Sequence, residues 1–288
     1  MDQNLNLLTV DLEEWFVVDI LSERCPPKQW DNLPSTLITN TRRLLQLFRR
    51  HDVLATWFVL GWSARKYPQL IREIVDQGHE IACHSFLHRR VDRMDPESFR
   101  QDTQMAVEAI SRAVGFVPIG YRAPSWSINA TIPWAFEILT EFGFEYDSSI
   151  FPIKHDLYGI PGGPRQMFRM RLKNGSTLWE IPASTCRLLG RNIPVAGGGF
   201  LRHAPYWYSR RMVNALNTHH QPAIVYMHPW EIDPKPPQVE GLTFFQRYRN
   251  YGATSMMYRK LDRLLSDFDF TTISDYIRQA RRRRIGFQ

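Results

Sequence analysis

The chain has 288 residues, 43% of them hydrophobic and 13% aromatic, a composition that supports a large buried core and excludes a disordered or fibrous protein. Lys and Arg outnumber Asp and Glu by 36 to 29, giving a formal charge of +7, yet no zinc-finger, helix-turn-helix or RNA-binding signature turns that charge into nucleic-acid recognition. Three scattered cysteines (Cys25, Cys83, Cys186) form neither a disulfide framework nor a thiolate metal site, and no apolar run approaches the ~20 residues of a membrane span.

Those cysteines fit a reducing compartment, and the segment after Met1 carries no basic-then-apolar leader, so a cytoplasmic location is expected. The run Arg281 to Arg284 is read as a solvated tail, with peripheral contact to anionic lipid as its other use.

In chain order, residues 5–10 read as a buried strand that ends at Asp11. Residues 37–50 place Leu37, Thr41, Leu44, Leu45 and Phe48 on one helical face, and 53–61 form a second strand. A helix through Leu70, Ile71, Ile74 and Val75 stops at Gly78, and the strand 80–83 follows. Phe99, Thr103, Ala106, Ile110 and Val114 line the next helix, which begins at Asp95-Pro96-Glu97. Beyond it come an extended segment 121–126, a helix over about 133–142, the sequence Tyr146-Asp147-Ser148-Ser149, and a pair of strands within 167–183. A helix near 206–219, a strand 223–228, a helix 257–267, a strand 268–273 and a short last helix complete the chain. The Pro- and Gly-rich stretches 153–165 and 233–241 read as surface excursions.

Alternation of strand and helix implies parallel strands with crossover helices, in a barrel or an open doubly wound sheet. Asp11, His84, Arg122, Asp147 and His228 each stand at or just after the C-terminal end of a predicted strand, which favours the barrel, where catalytic groups gather at that end. No repeat or low-complexity linker divides the chain, so one domain over 1–288 is expected.

Several of these residues carry hydrolytic chemistry. His84 and His88 are spaced to bring two imidazoles to one side of a helical turn, where they can chelate a divalent ion. Nine histidines make such a pair an ordinary coincidence; its place at the end of an apolar strand singles it out. In an extended stretch Asp11 and Glu13 point to one side and Glu14 to the other, so that one carboxylate can bind metal while its neighbour accepts a proton. The ordinary reading of these acids is a helix cap. Arg122, stiffened by Pro124, is a candidate for keeping Asp11 ionised. His228 is a candidate general acid, held protonated by Asp147.

Together these segments resemble the NodB-type polysaccharide deacetylases. Five ordered motifs carry the resemblance, spread over residues 9–230: Thr-Val-Asp-Leu-Glu at 9–13, His-Ser-Phe-Leu-His at 84–88, Arg-Ala-Pro-Ser-Trp at 122–126, Tyr-Asp-Ser-Ser at 146–149, and Val-Tyr-Met-His at 225–228. A narrower resemblance, through 11–16, 197–202, 227–233 and 261–277, is to the branch found with exosortase and exopolysaccharide clusters.

The resemblance implies an irregular (β/α)7 TIM-like barrel with a family-specific extension over about 235–288. It also implies N-deacetylation of a bacterial polysaccharide, with Asp11 as base, His228 as acid, and Arg122 and Asp147 supporting them. Glu13, His84 and His88 would hold a divalent metal, by default Zn2+, with Co2+, Ni2+ or Mn2+ as other occupants. Trp126, Gly198, Gly199 and Trp230 would line the glycan groove, although the glycines read equally well as a tight turn. Leu12 stands where the family usually has its metal-binding Asp, and Glu13 fits a variant that supplies the ligand one residue later. Two other readings keep the fold: an allantoinase-like amidohydrolase of small cyclic amides, and a metal-free carbohydrate binder.

Overall fold

The computed structural model describes residues 5–155, 159–188 and 190–282. In chain order the elements are β1 (Asn6–Leu12), α1 (Leu37–Arg50), β2 (Thr56–Val59), α2 (Gly61–Lys66), α3 (Pro68–Asp76), β3 (Glu80–Cys83), α4 (Pro96–Val114), β4 (Gly120–Tyr121), α5 (Trp134–Glu141) and β5 (Tyr146–Asp147). There follow β6 (Phe168–Arg171), β7 (Thr177–Glu180), β8 (Thr185–Leu188), β9 (Arg191–Pro194), α6 (Gly198–His203), α7 (Tyr206–Thr218), β10 (Ile224–Met227), α8 (Phe244–Tyr251), α9 (Thr254–Asp267), β11 (Phe270–Thr271) and α10 (Ile273–Arg282). Contacts divide the chain into two compact units, each discontinuous in sequence: Met1–Ala55 with Val195–Ile273, and Thr56–Pro194 with Ser274–Gln288.

In the first unit β1 runs parallel to both β10 and β11, with Leu7 opposite Ile224 and Asn6 opposite Phe270. All seven residues of β1 are buried, so the strand is covered on both faces and lacks the buried–exposed alternation of a one-faced sheet. Its polar members are satisfied internally. Thr9 Oγ1 donates to the Val225 carbonyl at 3.1 Å, and Asn6 Oδ1 accepts from the Ala223 backbone at 2.8 Å and from Asn217 at 2.7 Å. Met257, Leu261, Leu264 and Leu265 form the buried stripe of α9. Residues 235–273, read from sequence as an extension, thus supply a strand that pairs with β1.

In the second unit the strand order is β2-β3-β4-β5-β7-β6, parallel as far as β7 and antiparallel at β6; β8 and β9 form a separate hairpin. The long helix α4 begins and ends as its sequence dictates. Asp95 accepts from Ser98 N at 2.7 Å, Pro96 occupies the first turn, and Gly115 closes it at φ 84°. Helix α2 lies so close to α4 that a Cβ on Gly61 would sit 2.7 Å from Ala106 Cα.

The α/β class and the parallel pairing agree with the sequence. Two segments differ. The strand expected over 53–61 covers four residues, because Gly61 already opens α2. The segment 121–126 is not extended throughout: after Ala123 it folds into a 3-10 turn, with Ser125 at φ 51° and Trp126 at φ 52°.

Candidate active site

Within the first unit, β1 and β10 are parallel neighbours, so Asp11, Glu13 and His228 emerge at the same edge. One ligand atom from each of the three lies within 4.8 Å of the others. Asp11 and Glu13 are 3% and 2% exposed, and the Glu13 N–H donates to the Asp11 carbonyl at 2.9 Å in a tight turn at the strand end. Glu14 goes elsewhere: its Oε2 accepts from the Thr36 backbone at 3.2 Å, at the start of α1. The capping role that sequence reading allowed for this acidic run falls to Glu14.

His228 is held by its own chain. Pro229 opens a 3-10 turn that brings Glu231 back, and Glu231 Oε2 accepts from the His228 backbone at 3.1 Å and lies 3.0 Å from Nδ1. The other ring nitrogen, Nε2, is 3.8 Å from Asp11 Oδ2. Burial draws the imidazole pKa down, but Glu13, Glu231 and Asp11 together outweigh it and lift the pKa to about 9. Burial pushes the Glu231 carboxyl up, and His228 and Arg202 overcome this and hold it below its ordinary value. Arg202 Nε stands 3.7 Å from Glu231 Oε1, while its Nη1 and Nη2 donate to the carbonyls of Asn250 at 2.8 Å and Arg249 at 2.6 Å. Lys260 Nζ donates to the carbonyls of Arg202 and Ala204, fixing the end of α6.

This corrects one sequence assignment. The carboxylate at His228 Nδ1 is Glu231 and not Asp147, because a capping turn three residues long delivers it. Sequence reading missed Glu231 and Arg202, although both stand inside segments that carried the narrower resemblance. Trp230 is likewise no open sugar platform. At 5% exposure, its ring stacks on His228 at 5.6 Å and 20°, with the Arg202 guanidinium 5.1 Å from its centroid. The glycines at 197–199 form neither an isolated tight turn nor an open groove wall: Gly197 caps α6, and Gly198 and Gly199 open it. Gly197 lies at φ 152°, where a Cβ would meet Tyr226 Cδ1 at 2.1 Å, and at Gly198 a Cβ would stand 2.9 Å from the same ring. Gly199 has no such neighbour.

In the second unit, His84 follows β3, Arg122 follows β4, and Asp147 ends β5, again at one edge of parallel strands. The segment 84–88 is a bend and not the helical turn that its spacing suggested. Left-handed Ser85 (φ 66°) and His88 (φ 54°) reverse the chain and set the two imidazole centroids 5.4 Å apart. Asp102 of α4 anchors the bend by accepting from the Phe86 backbone at 2.8 Å, and Ser85 and Phe86 carbonyls accept from the first residues of α2. Arg122 is fully buried, donates to Ser148 Oγ at 3.0 Å, and lies 4.0 Å from the Phe58 centroid and 4.7 Å from that of Trp126. Trp126, expected on the glycan groove, is 7% exposed and packs on Arg122 and Phe151. Asp147 accepts from Ser149 Oγ at 2.6 Å and from its backbone at 2.9 Å. Burial pushes up both its carboxyl and that of neighbouring Glu180, and the Asp147 charge raises Glu180 further.

The donors fit a divalent metal. His84 Nδ1 lies 2.7 Å from the Arg122 carbonyl, which fixes that nitrogen as the N–H and leaves Nε2 as a lone pair, the orientation that histidine ligands adopt. Leu12 is fully buried within β1, so the residue in the family's usual ligand place belongs to the core, and Glu13 is the next carboxylate.

The polysaccharide deacetylase family model matches residues 29–146, and a domain of unknown function, DUF3473, matches residues 148–278. The peptidoglycan deacetylase of Helicobacter pylori is 34% identical over 108 residues, which are 38% of this chain and 36% of that protein. The match thus spans about a third of that relative's length. Among solved structures, a probable polysaccharide deacetylase from Pseudomonas aeruginosa PAO1 superposes with a TM-score of 0.66 at 16% identity, covering 98% of this chain and 92% of the other. The PuuE allantoinase superposes with a TM-score of 0.64 at 14% identity, covering 95% and 89%. At these identities the structures show a shared fold alone, and the deacetylase model and this relative each match less than half of the chain.

Proposed function

We propose that this protein is a metal-dependent hydrolase that removes the acetyl group from N-acetylated sugars of a bacterial glycan. The observation that carries the reading is the group of buried Asp11 and Glu13 with half-buried His228, in which a carboxylate base and a protonated imidazole stand together. The ordered motifs and the match to the deacetylase model support it. Within the proposal, Glu13, His84 and His88 hold the metal, with zinc the default for two imidazoles and a carboxylate.

Asp11 takes a proton from the attacking water, with Arg122 assigned to orient that carboxylate. A bound divalent ion would polarise the acetyl carbonyl and acidify the water. As the carbon–nitrogen bond breaks, His228 Nε2 gives its proton to the departing amine, which is too basic to leave without it. Glu231 keeps the imidazole oriented, and Arg202 keeps Glu231 ionised. The products are acetate and a free amino sugar. We assign Asp147 the role of holding the second unit's edge in order together with Glu180. The narrower resemblance adds exopolysaccharide synthesis as the setting, and the three scattered cysteines suit a reducing compartment, the cytoplasm, as the location.

The test is acetate release from N-acetylglucosamine oligomers, with allantoin assayed beside them. The reading expects acetate from the glycan and no product from allantoin. A folded, metal-loaded protein that releases no acetate from any acetylated glycan would overturn it. The likeness to allantoinase is one of fold and does not choose that substrate.

A further inference from the structure

The first unit carries a second feature that the hydrolytic reading does not use. A cavity of about 970 Å3 is lined by His203, Trp207, Arg210, Met256, Arg259 and Arg263, among others. Its exposed wall holds Arg210, Arg259 and Arg263 against a single carboxylate, Asp267, which pairs with Arg210 at 2.8 Å. Around it, large apolar side chains stand in solvent: Trp207 is 66% exposed, Met256 55%, Phe244 77% and Phe245 80%. The patch is continuous. Phe244 and Tyr248 lie four residues apart on one face of α8, and Tyr248 stacks on the cavity residue His203 at 4.6 Å. Soluble surfaces seldom gather exposed apolar groups of this size without a partner.

We propose that α7, α8 and α9 form a docking surface for an anionic lipid bilayer, on which the enzyme lies peripherally. Two features select this occupant. Exposed phenylalanines at the start of α8 have no polar handle for a sugar or a solvated protein rim, whereas they gain from entering the acyl boundary. Exposed arginines beside them complement acidic headgroups, the pairing that fixes amphipathic surfaces at charged membranes. Among the described residues no helix is long and apolar enough to cross a membrane, so contact at the interface is the form such an association takes. The terminal arginine run is not among these residues, and Arg283 and Arg284 lie outside the described ones.

The test is cosedimentation of the full chain with vesicles of phosphatidylcholine alone or mixed in equal parts with phosphatidylglycerol. Strong binding to the mixed vesicles, weak binding to the neutral ones, and weakening by salt are expected. The double variant Phe244→Ala/Phe245→Ala and the double variant Arg259→Glu/Arg263→Glu should each reduce partitioning about tenfold. Both should keep the wild-type melting temperature and acetate release from soluble oligomers, which separates this proposal from the hydrolytic one. Equal binding to both vesicle types, undiminished binding by either variant, or displacement of the protein from vesicles by a soluble acidic polysaccharide would overturn it.

Discussion

Glu231 orients His228, the acid of the proposed reaction, since it holds both the backbone and Nδ1 of that residue and is itself faced by Arg202. Glu231→Gln should therefore lower kcat about a hundredfold, the contribution of a positioned general acid, with KM little changed. Glu231→Asp should recover part of that loss if orientation is what matters. Glu13→Ala should abolish stoichiometric metal binding, measured by elemental analysis, while Glu14→Ala should leave metal content intact and cost stability through the lost cap. His79 supplies a pH dependence away from the site. Burial lowers its pKa from 6.5 to about 4, so in that interval the unfolded chain binds the proton that the folded one refuses. Stability from this residue is fully present above pH 6.5 and declines by about 3 kcal/mol as pH falls to 4. Urea unfolding across that range should show a steeper loss for the wild type than for His79→Gln. At this scale the sequence marked the candidate groups, because they stand at strand ends and in spaced motifs. It did not disclose Glu231 or Arg202, whose roles depend on a turn and on a helix end that no periodicity reveals.

The same division holds for elements. Long amphipathic helices such as α4 and α9 were legible, because apolar spacing and end residues agree over many turns. Short pieces were not: α2, α6, α8 and the β8–β9 hairpin carry too few residues for a periodic signal, and tertiary contacts define them. The bend 84–88 is the most instructive case. Spacing of four suggested a helical turn, whereas two left-handed residues, tied to Asp102 and α2, bring the imidazoles together instead. Asp102→Ala should free that bend, lower metal affinity by about tenfold, and leave far-ultraviolet circular dichroism unchanged. The glycines before α6 answer to packing against Tyr226. Gly197→Ala should destabilise the protein by about 2–3 kcal/mol in chemical unfolding, since the added methyl meets a ring on a backbone of positive φ.

For the whole molecule, each unit presents its functional side chains at the C-terminal edge of parallel strands, as an α/β architecture requires. Strand–helix alternation made the class readable, and solved deacetylase and allantoinase structures share the fold over nearly the entire chain. Discontinuous units were not readable, because β11 returns to β1 from a distance of more than 250 residues in sequence, a pairing that local pattern does not encode. Fold alone also leaves the reaction open between amide substrates, so the decision rests on chemistry. The most direct measurement is acetate release from N-acetylglucosamine oligomers by one preparation assayed for bound metal, before and after a chelator. The account predicts one divalent ion per chain, acetate release that stops on chelation, and recovery when the ion is restored. Acetate release that persists in chelator-treated protein free of metal would contradict it.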